Sequence, residues 1–156
     1  MSFPVNPLPE SPGSPAGRIL ALDVGSKTIG LAVSDPLGIT AQGLETIRRK
    51  NKRTDFAALE HVLHQYGVQQ IVVGYPLRMS GSAGAQSERM AAFAEDLRRR
   101  FALPVQLWDE RLTSAQANRL LRETNMSIQR RAQVVDRLAA VLILQSFLDH
   151  RSANRA

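Results

Sequence analysis

The sequence contains no cysteine, and only 5% of its residues are aromatic. The absence of cysteine excludes a disulfide framework and a thiolate zinc site. No apolar run reaches the ~20 residues that a membrane-spanning helix needs, and the first residues lack the basic and then apolar pattern of a secretory signal. We therefore expect a soluble protein of the cytoplasm, without a membrane partner.

The remaining composition fits one globular domain with a basic surface. The chain has 156 residues, of which 44% are apolar and 22% charged, enough for one core and too few for two ordinary domains. Its formal net charge of +6 favours a polyanionic partner such as nucleic acid, because binding to phosphates releases counterions. A charge that serves only solubility is the alternative.

Proline marks one boundary of the predicted domain. Five of the eight prolines fall in residues 1–17, where little could pack, and we predict a disordered tail there. The domain is predicted over residues 18–150, with a flexible C-terminus over 151–156. Apolar periodicity predicts strands over 19–24, 29–34, 40–47, 70–76 and 105–109, and helices over 55–66, 86–100, 114–123 and 131–150. This order indicates an α/β fold, in which helices cover a mixed sheet.

Three acidic residues interrupt apolar sequence. Asp23 stands at the end of the first predicted strand, and Glu110 at the end of the last. Asp136 shares a helical face with the apolar residues at i+3, i+4, i+7 and i+11. Burying an ionised carboxylate is costly unless it is paired or binds a cation. Three converging acids therefore favour a divalent metal site.

Each acid also has a purely structural interpretation. Asp23 could accept a hydrogen bond from the backbone two residues on, as aspartates at strand ends commonly do. Glu110 could pair with Arg111 or with a neighbouring helix, and Asp136 could stabilise the early turns of its helix through the helix dipole. From the pattern alone, both interpretations stay open.

Four segments resemble the YqgF (RuvX-type) family: ALDVGSKTIGLAVSDP, VVGYPLRMSGSAGAQSERM, DERLTS and VDRLAAVLILQSFLD, in this order. The resemblance extends from Arg18 to about His150. It implies an RNase H-like fold, with a five-stranded mixed sheet in which three antiparallel strands come first. It also implies that Asp23, Glu110 and Asp136 are the catalytic, metal-binding acids.

Members of this family are described as pre-16S rRNA nucleases, which process the 5′ end in ribosome biogenesis, and as Holliday junction resolvases. The resemblance implies a metal-dependent nuclease using Mg²⁺ or Mn²⁺, ions that prefer carboxylate oxygens and bind phosphate. In a two-metal site, Asp23 would bridge both ions while Glu110 and Asp136 each help to hold one. The expected partners are structured or single-stranded RNA and branched DNA. Junction resolution needs two symmetric cuts and would favour a homodimer.

Residues near these acids are candidates for contact with the substrate. The turn after Asp23 and the basic run after the third strand could bind phosphate, although an exposed hairpin turn and a solvated loop are the plainer interpretations. The residues that follow Glu110 could bind phosphate or cap a helix. The candidates are Ser26, Lys27, Thr28, Arg48, Arg49, Lys50, Lys52, Arg53, Arg78, Arg111, Thr113 and Ser114.

Two other classes of protein stay open. A non-catalytic RNA-binding or transcription factor could keep this fold without using metals. An actin-like or sugar-kinase-like phosphate binder could also present DVGSKT before a hairpin, but such proteins need two domains and this chain has room for one. Metal-dependent cleavage separates the first class from a nuclease, and nucleotide binding separates the second.

Overall fold

The computed structural model describes residues 17–75, 83–109 and 128–155. Five strands lie in this part of the chain: β1 (Arg18–Val24), β2 (Thr28–Ser34), β3 (Ala41–Arg48), β4 (Val68–Tyr75) and β5 (Val105–Asp109). It also contains three helices: α1 (Lys52–Tyr66), α2 (Ala83–Phe101) and α3 (Ile128–Arg155).

The five strands form one mixed sheet in the order β3-β2-β1-β4-β5. β1 pairs with β2, and β2 with β3, in antiparallel orientation, whereas β4 lies parallel to β1 and β5 parallel to β4. The predicted fold class, with the antiparallel strands first, is confirmed. Because β1, β4 and β5 are parallel, they finish together at Val24, Tyr75 and Asp109; we call this the carboxyl end of the sheet.

The central strands are apolar because helices cover both faces of the sheet. Leu20 and Leu22 of β1 pack with α1 and α2 in one core, and Ile19 and Ala21 pack with α3 in a second. All four side chains are fully buried. Residues 71–73 of β4 are buried as well, as the continuous apolar run predicts.

Helix α1 begins three residues earlier than the apolar pattern predicts. Asn51 is its N-cap, and the Asn51 side chain accepts a hydrogen bond from Thr54 N at 2.8 Å. At the other end Gly67 has a left-handed backbone, with φ of 62°, and is the C-cap that the sequence predicts. Because the helix starts at Lys52, both Lys52 and Arg53 lie in its first turn and not in a loop.

The other two helices are also longer than predicted. α2 begins at Ala83, where the sequence predicts a loop as far as residue 85, and α3 continues through residues 151–155, where it predicts a flexible C-terminus. None of the helices within the described ranges is long and apolar enough to cross a membrane. Residues 1–16 of the predicted tail and the predicted helix over 114–123 lie outside the described residues.

Candidate functional site

Asp23 lies at the carboxyl end of the sheet, next to the last residue of β1. The strand register runs from Leu22 across to Val73 of β4 and on to Leu107 of β5. Asp23, the residue after Leu22, is therefore one residue closer to the carboxyl end of the sheet than this row. Its side chain is half-buried.

The pleat of β1 assigns Asp23 to the face of the sheet that α3 covers. Side chains two apart along a strand share a face, and Ile19 and Ala21 pack in the core beneath α3. The alternate residues of β1 pack in the other core. Asp23 thus shares a face with the helix that contains Asp136.

The turn after Asp23 is closed by a backbone hydrogen bond. Gly25 N donates to the Thr28 carbonyl at 2.8 Å. Gly25 N is the amide two residues after Asp23, the one that a strand-end aspartate commonly binds, and here it donates to Thr28. Ser26 and Lys27 are exposed and Thr28 is half-buried, so the tip of the turn is accessible beside the acid.

Part of the predicted basic cluster is exposed at the same end of the sheet. Arg48 ends β3 and pairs with Thr28, the first residue of β2. Arg48, Lys50 and Arg53 are exposed, and within the described residues none of them forms an ion pair. Lys27 on the adjoining turn has the same properties. These four side chains present positive charge to solvent at the end of the sheet where Asp23 lies.

Two other members of the basic cluster contact protein groups. Arg49 Nη1 donates to the Gly25 carbonyl at 2.6 Å, and Arg49 Nε lies 3.8 Å from Asp55 Oδ2. Lys52 Nζ lies 2.9 Å from Asp96 Oδ2, and this hydrogen bond holds the pKa of Asp96 below its ordinary value. The cluster is therefore divided between cations that face solvent and cations that hold neighbouring elements.

Asp55 is a candidate that the sequence patterns do not single out. It lies in the first turn of α1 and is 4% exposed; among the described residues, Ser34 is the other buried polar side chain. A signal is nevertheless present, because Leu59 and Leu63 follow at i+4 and i+8 on the same helical face. The same spacing argument identifies Asp136.

A cleft of about 390 Å³ separates the β1–β2 turn from the start of α1. Its lining includes Ser26, Arg49, Lys50, Asn51, Lys52 and Asp55. The exposed turn, the N-cap of α1 and the ion-paired residues thus share one depression.

Several predicted site residues lie outside the described residues: Arg78, Glu110, Arg111, Thr113 and Ser114. Asp136 belongs to α3, but its side chain is not in the described part of the structure. Across residues 17–75, 83–109 and 128–155, no three His, Asp or Glu side chains group together as metal ligands would. The site formed by all three acids accordingly stays a prediction.

The sheet order, with helices on both faces, defines an RNase H-like protein. RuvC of Thermus thermophilus, solved in complex with a Holliday junction substrate, matches with a TM-score of 0.53 at 15% identity, over 90% of this chain and 96% of RuvC. The fowlpox virus Holliday junction resolvase matches with a TM-score of 0.50 at 12% identity, over 85% of this chain and 99% of the viral one. At these identities the likeness shows the fold.

Residues 17–150 match the RuvX family, described as Holliday junction resolvase, and the chain belongs to that family. A protein of Koribacter versatilis is 59% identical over 146 residues, which are 94% of this chain and 95% of that protein. A protein of Moorella thermoacetica is 53% identical over 137 residues, which are 88% and 98% of the two chains. Both relatives are named "Putative pre-16S rRNA nuclease". The predicted family and the predicted enzyme class, a nuclease, are confirmed.

Proposed function

We propose that this chain is a metal-dependent nuclease whose active site lies at the carboxyl end of the sheet, on the face that α3 covers. The observation that carries the proposal is the position of Asp23, a half-buried acid near the end of the central strand, at the same end of the sheet as exposed cations. A carboxylate in this position is suited to bind a divalent ion, and the surrounding cations are suited to bind phosphate.

The direction of α3 supports a position for Asp136 level with Asp23. Gln145 accepts a hydrogen bond from Ala41 N at 3.1 Å, and Ala41 belongs to the row of the sheet that contains Ile19. The last residues of α3 reach the β2–β3 turn at the opposite end of the sheet, so its earlier residues run towards the carboxyl end. Nine residues of helix span about 13.5 Å and four residues of strand about 13 Å, so we expect the two acids to lie at the same level.

The surroundings of Trp108 support a position for Glu110 on the same face. Trp108 Nε1 donates to Ser146 Oγ of α3 at 3.2 Å, and the indole packs edge-on against Phe147 with 5.3 Å between ring centroids. Because side chains two apart along a strand share a face, we expect the residue two positions beyond Trp108 to face α3 as well. All three acids then converge between the sheet and the helix.

Three carboxylates form a donor set that suits Mg²⁺ or Mn²⁺, since hard divalent ions prefer oxygen ligands. We assign Asp23, Glu110 and Asp136 as the ligands of a site for two ions. Bound there, such ions would strengthen water as a nucleophile and neutralise charge on the phosphate and on the leaving oxygen. The half-burial of Asp23 fits this role, because a carboxylate withdrawn from water is stabilised by a cation.

The exposed cations hold the nucleic acid in this proposal. Lys27, Arg48, Lys50 and Arg53 contact phosphates on either side of the bond that is cut, and the Ser26 hydroxyl adds a donor at the turn. Contacts of this kind fix the position of a strand without reading its sequence. The chain would therefore recognise its substrate mainly by backbone charge and shape.

Precursor 16S rRNA, processed at its 5′ end, is the substrate that we propose first, because the relatives at 59% and 53% identity are named for it. A four-way DNA junction is the second candidate, supported by the description of the family. The two differ in assembly. A junction needs two symmetric cuts and hence a homodimer, whereas RNA processing needs one active site.

Cleavage assays on labelled precursor RNA and on a four-way DNA junction, each with Mg²⁺, Mn²⁺ or EDTA, test this proposal. The decisive variant is Asp23→Asn, which keeps the size of the side chain and removes its charge. Asp149→Asn is the matched control, since Asp149 is exposed in the C-terminal half of α3, bonded to Gln145 Nε2 at 3.0 Å. We expect metal-dependent cleavage by wild type and control, and a loss of more than about 100-fold in Asp23→Asn.

Which substrate is cut decides between precursor RNA processing and junction resolution. Binding of both nucleic acids without cleavage of either, under every metal condition, would overturn the nuclease proposal and favour a non-catalytic RNA-binding protein. Cleavage that persists undiminished in Asp23→Asn would remove Asp23 from the site while leaving a nuclease.

A further inference from the structure

The buried carboxylate of Asp55 belongs to neither the proposed metal site nor the exposed cationic surface. Asp55 Oδ1 accepts a hydrogen bond from Lys50 N at 3.0 Å, and Asp55 Oδ2 lies 3.8 Å from Arg49 Nε. Only 5% of the Asp55 side chain is exposed. A carboxylate buried to this degree needs compensation, and Arg49 is the cation that supplies it.

Arg49 connects this carboxylate to the turn beside Asp23. Its Nη1 donates to the Gly25 carbonyl at 2.6 Å, and its backbone N donates to the Lys27 carbonyl at 2.8 Å. Both bonds end in the four-residue turn Gly25–Thr28, which begins two residues after Asp23. One third of the Arg49 side chain is exposed.

The chemistry of the guanidinium favours a holding role over a phosphate contact. Its planar, rigid set of donors can bind a carbonyl and a carboxylate at the same time, which the ammonium group of lysine cannot reproduce in the same geometry. A bond from a charged donor to a carbonyl is also stronger than a neutral one. Arg49 therefore fixes the carbonyl of Gly25, two residues after Asp23, relative to α1.

We propose that Asp55 and Arg49 form a positioning pair, which holds the Gly25–Thr28 turn and thereby the end of β1 in place for catalysis. The pair acts through the turn and does not contact the nucleic acid. This inference rests on the proposed nuclease function for its catalytic consequence, and it replaces the sequence-based interpretation of Arg49 as a phosphate contact.

Two variants separate the pair from its alternatives. Asp55→Asn keeps an acceptor for Lys50 N but removes the charge that faces Arg49. Arg49→Lys keeps the positive charge and removes the donor to the Gly25 carbonyl. Arg100→Lys is the matched control, because Arg100 forms an exposed ion pair with Glu60, 3.3 Å between Nη2 and Oε1, on the surface of α1 and α2.

Hydrogen exchange of the free protein and steady-state cleavage are the two measurements. We expect amide exchange in residues 24–28 to rise about tenfold in Arg49→Lys, which loses the charged donor to the Gly25 carbonyl, and to rise as well in Asp55→Asn, which loses the charge that holds Arg49. Exchange should stay unchanged in Arg100→Lys. We expect kcat to fall about tenfold while KM and the salt dependence of binding stay at wild-type values. A phosphate contact predicts instead weaker binding in Arg49→Lys and wild-type kcat in Asp55→Asn.

Hydrogen exchange tests the positioning pair, and cleavage tests the nuclease proposal, so the two can fail separately. Wild-type exchange at residues 24–28 in the folded variants overturns the pair, whatever the enzyme does. Faster exchange in the variants, together with a wild type that cleaves neither RNA nor a junction, supports the pair as a brace of the turn and overturns only the nuclease proposal. Should Asp55→Asn fail to fold, Arg49→Lys alone decides, because its side chain lies partly in solvent.

Discussion

Two aspartates lie near the ends of neighbouring strands, Asp23 as the penultimate residue of β1 and Asp35 directly after β2, and their surroundings differ. Asp35, after β2, accepts hydrogen bonds from the amides of Leu37, Ile39 and Thr40, at 3.2, 2.7 and 2.7 Å. The Thr40 hydroxyl adds a longer one at 3.4 Å. The carboxylate of Asp35 is therefore the centre around which the β2–β3 turn is built.

The β1–β2 turn after Asp23 is organised in another way. Gly25 N donates to Thr28, and the Arg49 guanidinium binds the Gly25 carbonyl. The backbone of this turn is thus closed by its own amide and by a cation from the β3–α1 connection. An aspartate near the end of a strand thus serves the turn at one end of the sheet and faces the proposed site at the other.

Removing the carboxylate of Asp35 or of Asp23 is expected to give the largest difference between the two turns. Asp35→Ala removes four acceptor contacts, so we expect a lower melting temperature with cleavage unchanged. Asp23→Asn is expected to reduce cleavage more than about 100-fold and to leave the melting temperature in EDTA unchanged or raised, because one of three converging negative charges is removed.

Thermal melts in EDTA and single-turnover cleavage on the same preparations measure both effects. If Asp35→Ala also lost cleavage, the two ends of the sheet would be coupled and the contrast between the two aspartates would fail. A large fall in melting temperature in Asp23→Asn would instead make Asp23 a second structural aspartate.

Replacing the glycines of the β2–β3 and β1–β2 turns is expected to give the next largest effect, on the free energy of unfolding. Gly38 of the β2–β3 turn has φ of 73°, a left-handed backbone that costs a residue with a Cβ about 1–2 kcal/mol. A Cβ on Gly25 would instead lie 3.2 Å from the Thr28 carbonyl oxygen, a tight contact without a left-handed φ. We expect Gly38→Ala to lower the free energy of unfolding by about 1–2 kcal/mol and Gly25→Ala by less, as measured in urea. Equal losses would show that backbone conformation does not distinguish the turns.

Much of the fold could be predicted because its signals are local. The continuous apolar run of β4 predicts a strand buried on both faces, and Gly67 predicts the end of α1; the structure contains both. The sequence also directs attention to Asp23, since an acid at the end of an apolar strand is conspicuous. The predicted start of α1 is three residues too late, because the helix begins after its N-cap Asn51, four residues before its first apolar side chain, Phe56.

The hydrogen bond by which Arg49 supports the β1–β2 turn could not be predicted, because the two residues that form it are distant in sequence. Arg49 and Gly25 are 24 positions apart, and nothing in either segment indicates that one binds the other. A run of basic residues predicts a charged surface. Only the folded chain shows that Arg49 pairs with Asp55 of α1 and Lys52 with Asp96 of α2, while the other basic residues of the run have no ion pair among the described residues. Asp55 escapes prediction for a related reason, since the apolar pattern of the helix begins at Phe56.

Removing single exposed cations from the basic cluster is expected to have a smaller effect, on the affinity for nucleic acid. Lys50→Gln and Arg53→Gln each remove one exposed cation, so we expect each to weaken binding of nucleic acid several-fold. The slope of log affinity against log salt should fall in magnitude by about 0.7–0.9 for each phosphate contact that is lost. Titrations at several salt concentrations measure this slope, with Arg100→Gln as the control on a remote surface. An unchanged slope in both variants would remove these residues from the proposed interface.

The smallest effect concerns pH and returns to Asp35. The amide of Thr40, followed by those of Ile39 and Leu37, holds the pKa of Asp35 below its ordinary value of about 3.9. A carboxyl whose pKa is lower in the folded state stabilises the fold above its unfolded pKa, and that contribution is lost as the pH falls through the folded pKa. The melting temperature of the wild type should therefore fall more steeply below about pH 4 than that of Asp35→Asn, which has no carboxyl to protonate at this position.

Asp96 has a lowered pKa as well, so some acid sensitivity should persist until Asp96→Asn is added. Identical acid slopes in wild type and Asp35→Asn would mean that the bonds of the β2–β3 turn do not depend on the charge of this aspartate, and that the two strand-end acids differ in position alone.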